Sequence, residues 1–308
     1  MTELTERVGR ASDPLFERCR VSLRDERVFV GKLAVLATIL ATGAWLALQD
    51  SFLLAAPGVV LLAAGYTHGV ELQHQCLHHS AFRRSAVNRF FGVPLGLPLL
   101  VSYSHYRVRH LQHHRYLGTP NDTEFFGFDT RQGVTWRGML GGLFDYPRVA
   151  RTLRDIWLSW RNTWRYTDGQ SSERMRQDIV AEYRFFGAAL LGLVCVSLLG
   201  GGEEVLRLWL LPLAVAVPLH FLVELPEHLL CETESADVLR NTRSISGSWF
   251  STWFTNGNNL HVEHHAAMTV PINRLRERHP EVERRAVYVT RTYPAFYWSV
   301  CRALMERP

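Results

Sequence analysis

Long uncharged apolar runs alternate along the chain with stretches crowded with arginine. A helix needs about 20 apolar residues to cross the hydrocarbon core of a bilayer. Residues 28–48 meet that requirement, with Lys32 close enough to the start for its amine to reach the headgroups. Residues 51–70 form a second run, interrupted by His68, and Gln49 and Asp50 alone separate the two, which predicts a tight hairpin. Residues 185–202 and 205–223, the latter with Arg207 near one end, predict a second hairpin turning at 200–204. Residues 90–103 are apolar but short and carry Pro94 and Pro98, so they fit a buried or re-entrant segment better than a span.

Charge sets an expected orientation. Residues 1–27 hold six arginines, 71–184 sixteen and 224–308 ten, whereas the two short turns hold none. Cationic loops stay on the cytoplasmic side, so both hairpins point away from it. The expectation is an all-α integral membrane protein: one domain over 1–308, with four spans and a cytoplasmic helical cap formed by 71–184 and 224–308. Leu153, Trp157, Trp160 and Trp164 recur at helical spacing opposite Arg151, Arg154, Arg161 and Arg165. That pattern reads as a helix lying in the membrane interface, with an ordinary surface helix as the competing reading.

Composition narrows the function classes. With 20% charged residues, the 308-residue chain is not made of spans alone. The net charge of +5 fits a nucleic-acid binder in principle, but the arginines flank apolar runs where anionic headgroups lie, so no nucleic-acid partner is expected. Cys19, Cys76, Cys195, Cys231 and Cys301 lack C-x-x-C spacing and read as free thiols rather than a disulfide frame or zinc site. Acids and arginines precede the first apolar run, which is not the pattern of a cleavable signal peptide.

The chemistry sits in the fourteen histidines. His74, His78 and His79 follow the second run; His110, His113 and His114 form one H-x-x-H-H, and His261, His264 and His265 another. Residues three and four apart share a helix face, so each group can aim several imidazoles at one point. Imidazole suits iron, zinc or copper, but a structural zinc takes four ligands and a catalytic zinc three plus water. Eight or more clustered histidines exceed one ion and suit two metals in a shared site. His220, Glu224 and His228 would share one face at the end of the fourth run, with Pro226 disturbing the register. Glu224, Asp122, Asn258 and Asn259 are candidates to orient imidazole N–H groups. His68 and His105 read as satisfied core histidines, and His279 as surface.

Three histidine boxes, with two spans before the first and two between the second and third, resemble the membrane fatty acid desaturase and hydroxylase superfamily. The resemblance runs over about residues 28–280 and includes Asn121-Asp122, Arg240-Asn-Thr-Arg243 and Asn258-Asn259 ahead of the third box. It implies two iron ions held by His74, His78, His110, His113, His114, His261, His264 and His265, with His79 as the alternative to His78, and His228 as a further ligand. It also implies O₂ as co-substrate and a lipid or other apolar substrate, most directly a fatty-acyl chain to be desaturated. Two positions depart from common family patterns: Gln75 stands where many members carry Asp, and Ala266-Ala267-Met268 where acyl-lipid members often read Leu-Phe-Pro.

Within this superfamily, hydroxylation or ketolation of a carotenoid or alkane, or desaturation of a small secondary metabolite, are the alternative outcomes. From other classes, a membrane zinc hydrolase needs about three ligands and more spans, and a metal transporter places its site near the bilayer midplane. The sequence carries no haem-binding module, ferredoxin cysteine set or G-x-G-x-x-G, so electrons are expected from a separate protein of ferredoxin, rubredoxin or cytochrome b5 type docking on the arginine-rich face.

Overall fold

Ser22 starts the first long helix: its hydroxyl accepts from the Asp25 amide while the Asp25 carboxylate accepts from the Ser22 amide. The structure, a computed structural model, describes residues 13–122, 133–169 and 171–306. Helix α1 (Leu23–Ala47) packs antiparallel against α2 (Phe52–Leu77) across the short predicted turn. Gly58 permits the contact, because a Cβ there would collide with the backbone of Leu46 and Ala47. Lys32 does not reach toward headgroups; its Nζ donates to Asn256 Oδ1 at 2.5 Å, because a cap segment folds down against this face of α1.

Helix α2 outlasts its apolar run by seven residues and so carries Glu71 and His74 beyond the expected boundary at 70. Helix α3 (Ser85–Gly96) and α4 (Tyr103–Tyr116) meet at a 97° bend, where Leu97–Leu99 form a 3-10 turn and Leu100 is left-handed. Then come α5 (Trp136–Leu143), α6 (Pro147–Trp160) and α7 (Glu173–Val196). Helical turns continue from α7 into α8 (Leu211–Glu224), broken at Gly200, whose φ of +103° is open to glycine. Beyond α8 lie the short α9 (Trp249–Phe254), α10 (His261–Ala266) and α11 (His279–Arg285), then α12 (Tyr293–Met305). Two-residue strands, β1 (Ser244–Ile245) and β2 (Val289–Thr290), pair in parallel and form the one sheet among the described residues.

Three helical stretches are long and apolar enough to cross a membrane: α1, α2 and the broken stretch Glu173–Glu227; a bent pair, α3 with α4, qualifies as a fourth only if counted as one span. Phe52, Leu53, Leu191, Leu198, Leu199 and Leu206 point outward, the surface expected of helices whose surroundings are lipid rather than water. On α6, Leu153, Trp157 and Trp160 are likewise exposed. Trp164 is not part of that stripe. It lies past the end of α6 and is buried against His105 and Tyr183, because the chain turns back into the core at Asn162, which is left-handed.

Candidate metal centre

Three helices and one turn deliver the histidines. On α2, His74 and the C-terminal cap residue His78 stand one turn apart on the buried face. His79 adopts a left-handed φ of +53°, which swings its ring away to accept from Arg107 Nε at 3.3 Å. Helix α4 is capped by Ser102, and its first-turn amides are held by Glu182 of α7: Ser104 N–H donates at 2.9 Å, and Tyr103 N–H donates to the other carboxylate oxygen. That anchor fixes the roll of α4, so that His110, His113 and His114 face inward.

The third box, on α10, is anchored from below. Glu263 is fully buried, accepting from Ser244 Oγ and His279 Nδ1, each at 2.5 Å, while the Val262 amide donates to Ser244 Oγ at 3.0 Å. His279, expected at the surface, is therefore a buried strut, 6% exposed. Ser246 Oγ lies 3.0 Å from His279 Nε2, which gives a serine–histidine–glutamate order. The neighbouring amides of Ser246 and Gly247 donate to the Thr290 and Arg291 carbonyls and so are not open to an oxyanion, and the order serves as a brace. Finally, α8 ends in a 3-10 turn at Leu225–Glu227 containing Pro226, which rotates His228 off the face of His220 and Glu224 and into the site.

The imidazoles gather in two groups: His74, His78, His110, His114 and His264; and His113, His228, His261 and His265. In the first, Nε2 of His110 lies 2.7 Å from that of His74 and 3.0 Å from that of His114, which is 3.0 Å from that of His264; His78 and His74 stand 3.3 Å apart. In the second, Nε2 of His228 lies 3.1 Å from that of His113 and 3.2 Å from that of His261, and His265 is 3.1 Å from His261. The groups abut, with the rings of His114 and His265 stacked at 4.1 Å.

The protonation of these rings tests whether a metal fits. His113 Nδ1 faces both Asp122 oxygens at 3.1 Å, His228 Nδ1 donates to the Asn241 carbonyl at 3.1 Å, and His261 Nδ1 faces Asn258 Oδ1 at 3.2 Å. Burial holds His261, His264 and His265 well below their ordinary pKa and pushes His228 down to about 3, with the neighbouring imidazoles adding to the effect. A neutral imidazole has one N–H. Once Nδ1 carries it on His113 and His228, their two Nε2 lone pairs face each other at 3.1 Å, an arrangement that repels unless a cation sits between them. Neutral, Nδ1-protonated imidazole is also the form that binds a metal. The donor set therefore fits metal ions.

Two of the four predicted orienting residues, Asp122 and Asn258, touch imidazoles of the site. Asn259 does not: it bonds Ile245 O and Thr255, holding the loop before α10. Glu224 does not orient a ring of either group; it stands with His220 and Glu71 in a third group. The sequence reading missed Glu227, whose Oε2 is 3.2 Å from His261 Nε2 while Oε1 accepts from Asn258 Nδ2 at 2.6 Å. Its position beside His228 was the available signal. It also missed Glu263, which sits inside the third box. His68 and His105 are core residues with partners, His68 Nδ1 donating to Phe254 O at 2.7 Å and His105 Nδ1 bonded to Tyr183 Oη at 2.6 Å.

A cavity of about 410 Å³ reaches this region, walled by Tyr106, Arg148, Asp155, His220 and Glu224 among others. The Tyr106 ring stacks on that of His74, 6.2 Å between centres.

A family model described as "Fatty acid desaturase" matches residues 50–297. Among curated proteins, the chain is similar to an acyl-lipid (9-3)-desaturase of Physcomitrium patens, 25% identical over 242 residues, which cover 69% of this chain and 44% of that protein. The chain thus spans less than half the length of that relative.

Proposed function

The chain belongs to the fatty acid desaturase family, whose members are oxidoreductases, and from that premise we propose that it oxidises an unactivated C–H bond of a lipid with O₂, most directly by desaturating a fatty-acyl chain. The observation that carries this reading is the convergence of imidazole Nε2 atoms into two adjoining groups, of five and four rings. In this reading His74, His78, His110, His114 and His264 hold one iron ion, and His113, His228, His261 and His265 hold the other. Five imidazoles at one point exceed the four ligands of a structural zinc, which favours iron. When bound, the iron pair supplies the oxidising power that no side chain possesses.

The chain's own residues supply position and environment. Asp122, Asn258 and the Asn241 carbonyl hold three rings with Nε2 pointing inward. Leu77, Val108, Leu229 and Val262, each within two residues of a site histidine, are buried, which keeps bulk water from these segments. Residues 1–308 act as one domain with four crossings: α1, α2, and the stretch from α7 to α8 folded into two at Gly200. A 55-residue helical stretch would extend about 80 Å, far more than a bilayer of about 30 Å, which supports the division. In this reading, which the arginine distribution supports, the histidine site and cap face the cytoplasm, where a separate ferredoxin, rubredoxin or cytochrome b5-type donor would dock.

A second reading, oxidation of a small polar metabolite, is favoured by the cavity beside Tyr106, whose wall carries several arginines and acids. Mass spectrometry of lipids and polar metabolites from cells with and without the chain tests both. Loss of 2 Da in acyl chains is expected. A gain of 16 Da would mean hydroxylation, a change confined to polar metabolites would select the second reading, and no O₂-dependent change in either pool would overturn both.

A further inference from the structure

The third group lies outside the two imidazole groups and has no place in the function proposed above. Glu71 of α2 and His220 and Glu224 of α8 bring ligand atoms within 4.8 Å of one another. All three are buried, at 1%, 6% and 3% exposure. Among the described residues, neither carboxylate oxygen of Glu71, nor Oε2 of Glu224, meets a partner at hydrogen-bonding geometry, although the Asn258 amide approaches Glu71. His220 Nε2 stands 3.2 Å from Glu224 Oε1.

Two carboxylates side by side in a low-dielectric interior repel each other, and each unmet oxygen carries its own desolvation penalty. Arg148, on the wall of the adjoining cavity, offsets part of the charge on Glu224, whereas Glu71 has a neutral amide, Asn258, beside it. A dication would neutralise both carboxylates and complete their coordination. One imidazole with two carboxylates matches a first-row transition ion better than magnesium or calcium, which take oxygen ligands. The cavity borders His220 and Glu224, providing an entry path and room for water on the remaining coordination positions.

We propose that Glu71, His220 and Glu224 form a third cation site, for one divalent first-row metal ion, joining α2 to α8 beside the imidazole groups. No residue of this site belongs to either group, so its occupancy can be read independently of theirs.

The test uses the full chain in detergent micelles, loaded with iron, dialysed against micromolar Mn²⁺ and analysed for all first-row metals. Three ions per chain are expected in the wild type, and two in Glu71→Gln and in Glu224→Gln. Equal metal content in the wild type and both variants would overturn the proposal and leave the buried carboxylates as counter-charge for the neighbouring ions. A drop of one ion from a starting number other than three would support this site while refuting the two-iron reading. Thermal melting confirms that each variant is folded, and the second variant covers the failure of the first.

Discussion

Replacing Asp122 by asparagine removes one negative charge from a single atom pair and leaves its volume almost unchanged. In the wild type both carboxylate oxygens lie 3.1 Å from His113 Nδ1, and the two side chains are only 9% and 2% exposed, so water screens the pair little. The carboxylate keeps the proton on Nδ1 and makes Nε2 a stronger donor. An amide accepts more weakly, and its NH₂ must turn away from the ring. Loss of such a partner typically costs 10–100-fold in metal affinity or activity, about 1.4–2.8 kcal/mol. Asp122→Asn belongs at the lower end and Asp122→Ala, which removes the acceptor, at the upper. His113 serves the four-ring group alone, so one ion should leave first. Titrating the iron-loaded chain with a chelator and counting retained iron gives the assay: a two-step release with the first midpoint shifted about tenfold is expected. Unchanged midpoints in both variants would refute the idea that Asp122 supports a metal ligand.

Other expectations follow from the same geometry. His264→Ala should abolish O₂-dependent turnover while membrane insertion, read by fractionation, is retained; full activity would remove the third box from the site. His78→Ala should lose iron and activity, whereas His79→Ala, with its ring turned toward Arg107, should change either by less than about twofold. His279 is held above its ordinary pKa, chiefly by its hydrogen bond to Glu263. Its stabilisation should be fully present below about pH 6.5 and fade as pH rises through the raised value. The difference in Tm between wild type and His279→Gln should accordingly shrink from acid to alkaline pH, and a constant difference would exclude the charged pair. Gly96→Ala, whose methyl would press on the Val101 carbonyl and the Gln73 side chain, should cost about 1–3 kcal/mol in thermal stability.

Much of this arrangement was legible in the residue pattern, for identifiable reasons. Helical spacing alone placed His110, His113 and His114 on one face, and the apolar runs located α1 and α2, although α1 begins five residues earlier and α2 ends seven residues later than its run. The errors share one cause: they concern residues whose partners are distant in sequence. His279 is a buried strut because Glu263, 16 residues away, reaches it. Lys32 turns toward Asn256, 224 positions on, a contact no local pattern announces. His78 and His79 are equivalent in composition, and a left-handed backbone at His79 is what separates them. Glu71 reads in sequence as an isolated acid at the end of an apolar run, and its meaning appears once α8 is packed against α2.

The central claim, that two groups of imidazoles hold two iron ions, is tested most directly by counting iron and zinc in the Glu71→Gln chain, where only those groups contribute. Two irons per chain are expected, falling below two when His261 and His264 are both replaced by alanine. A single zinc per chain, or an iron content unchanged by the double replacement, would contradict the account.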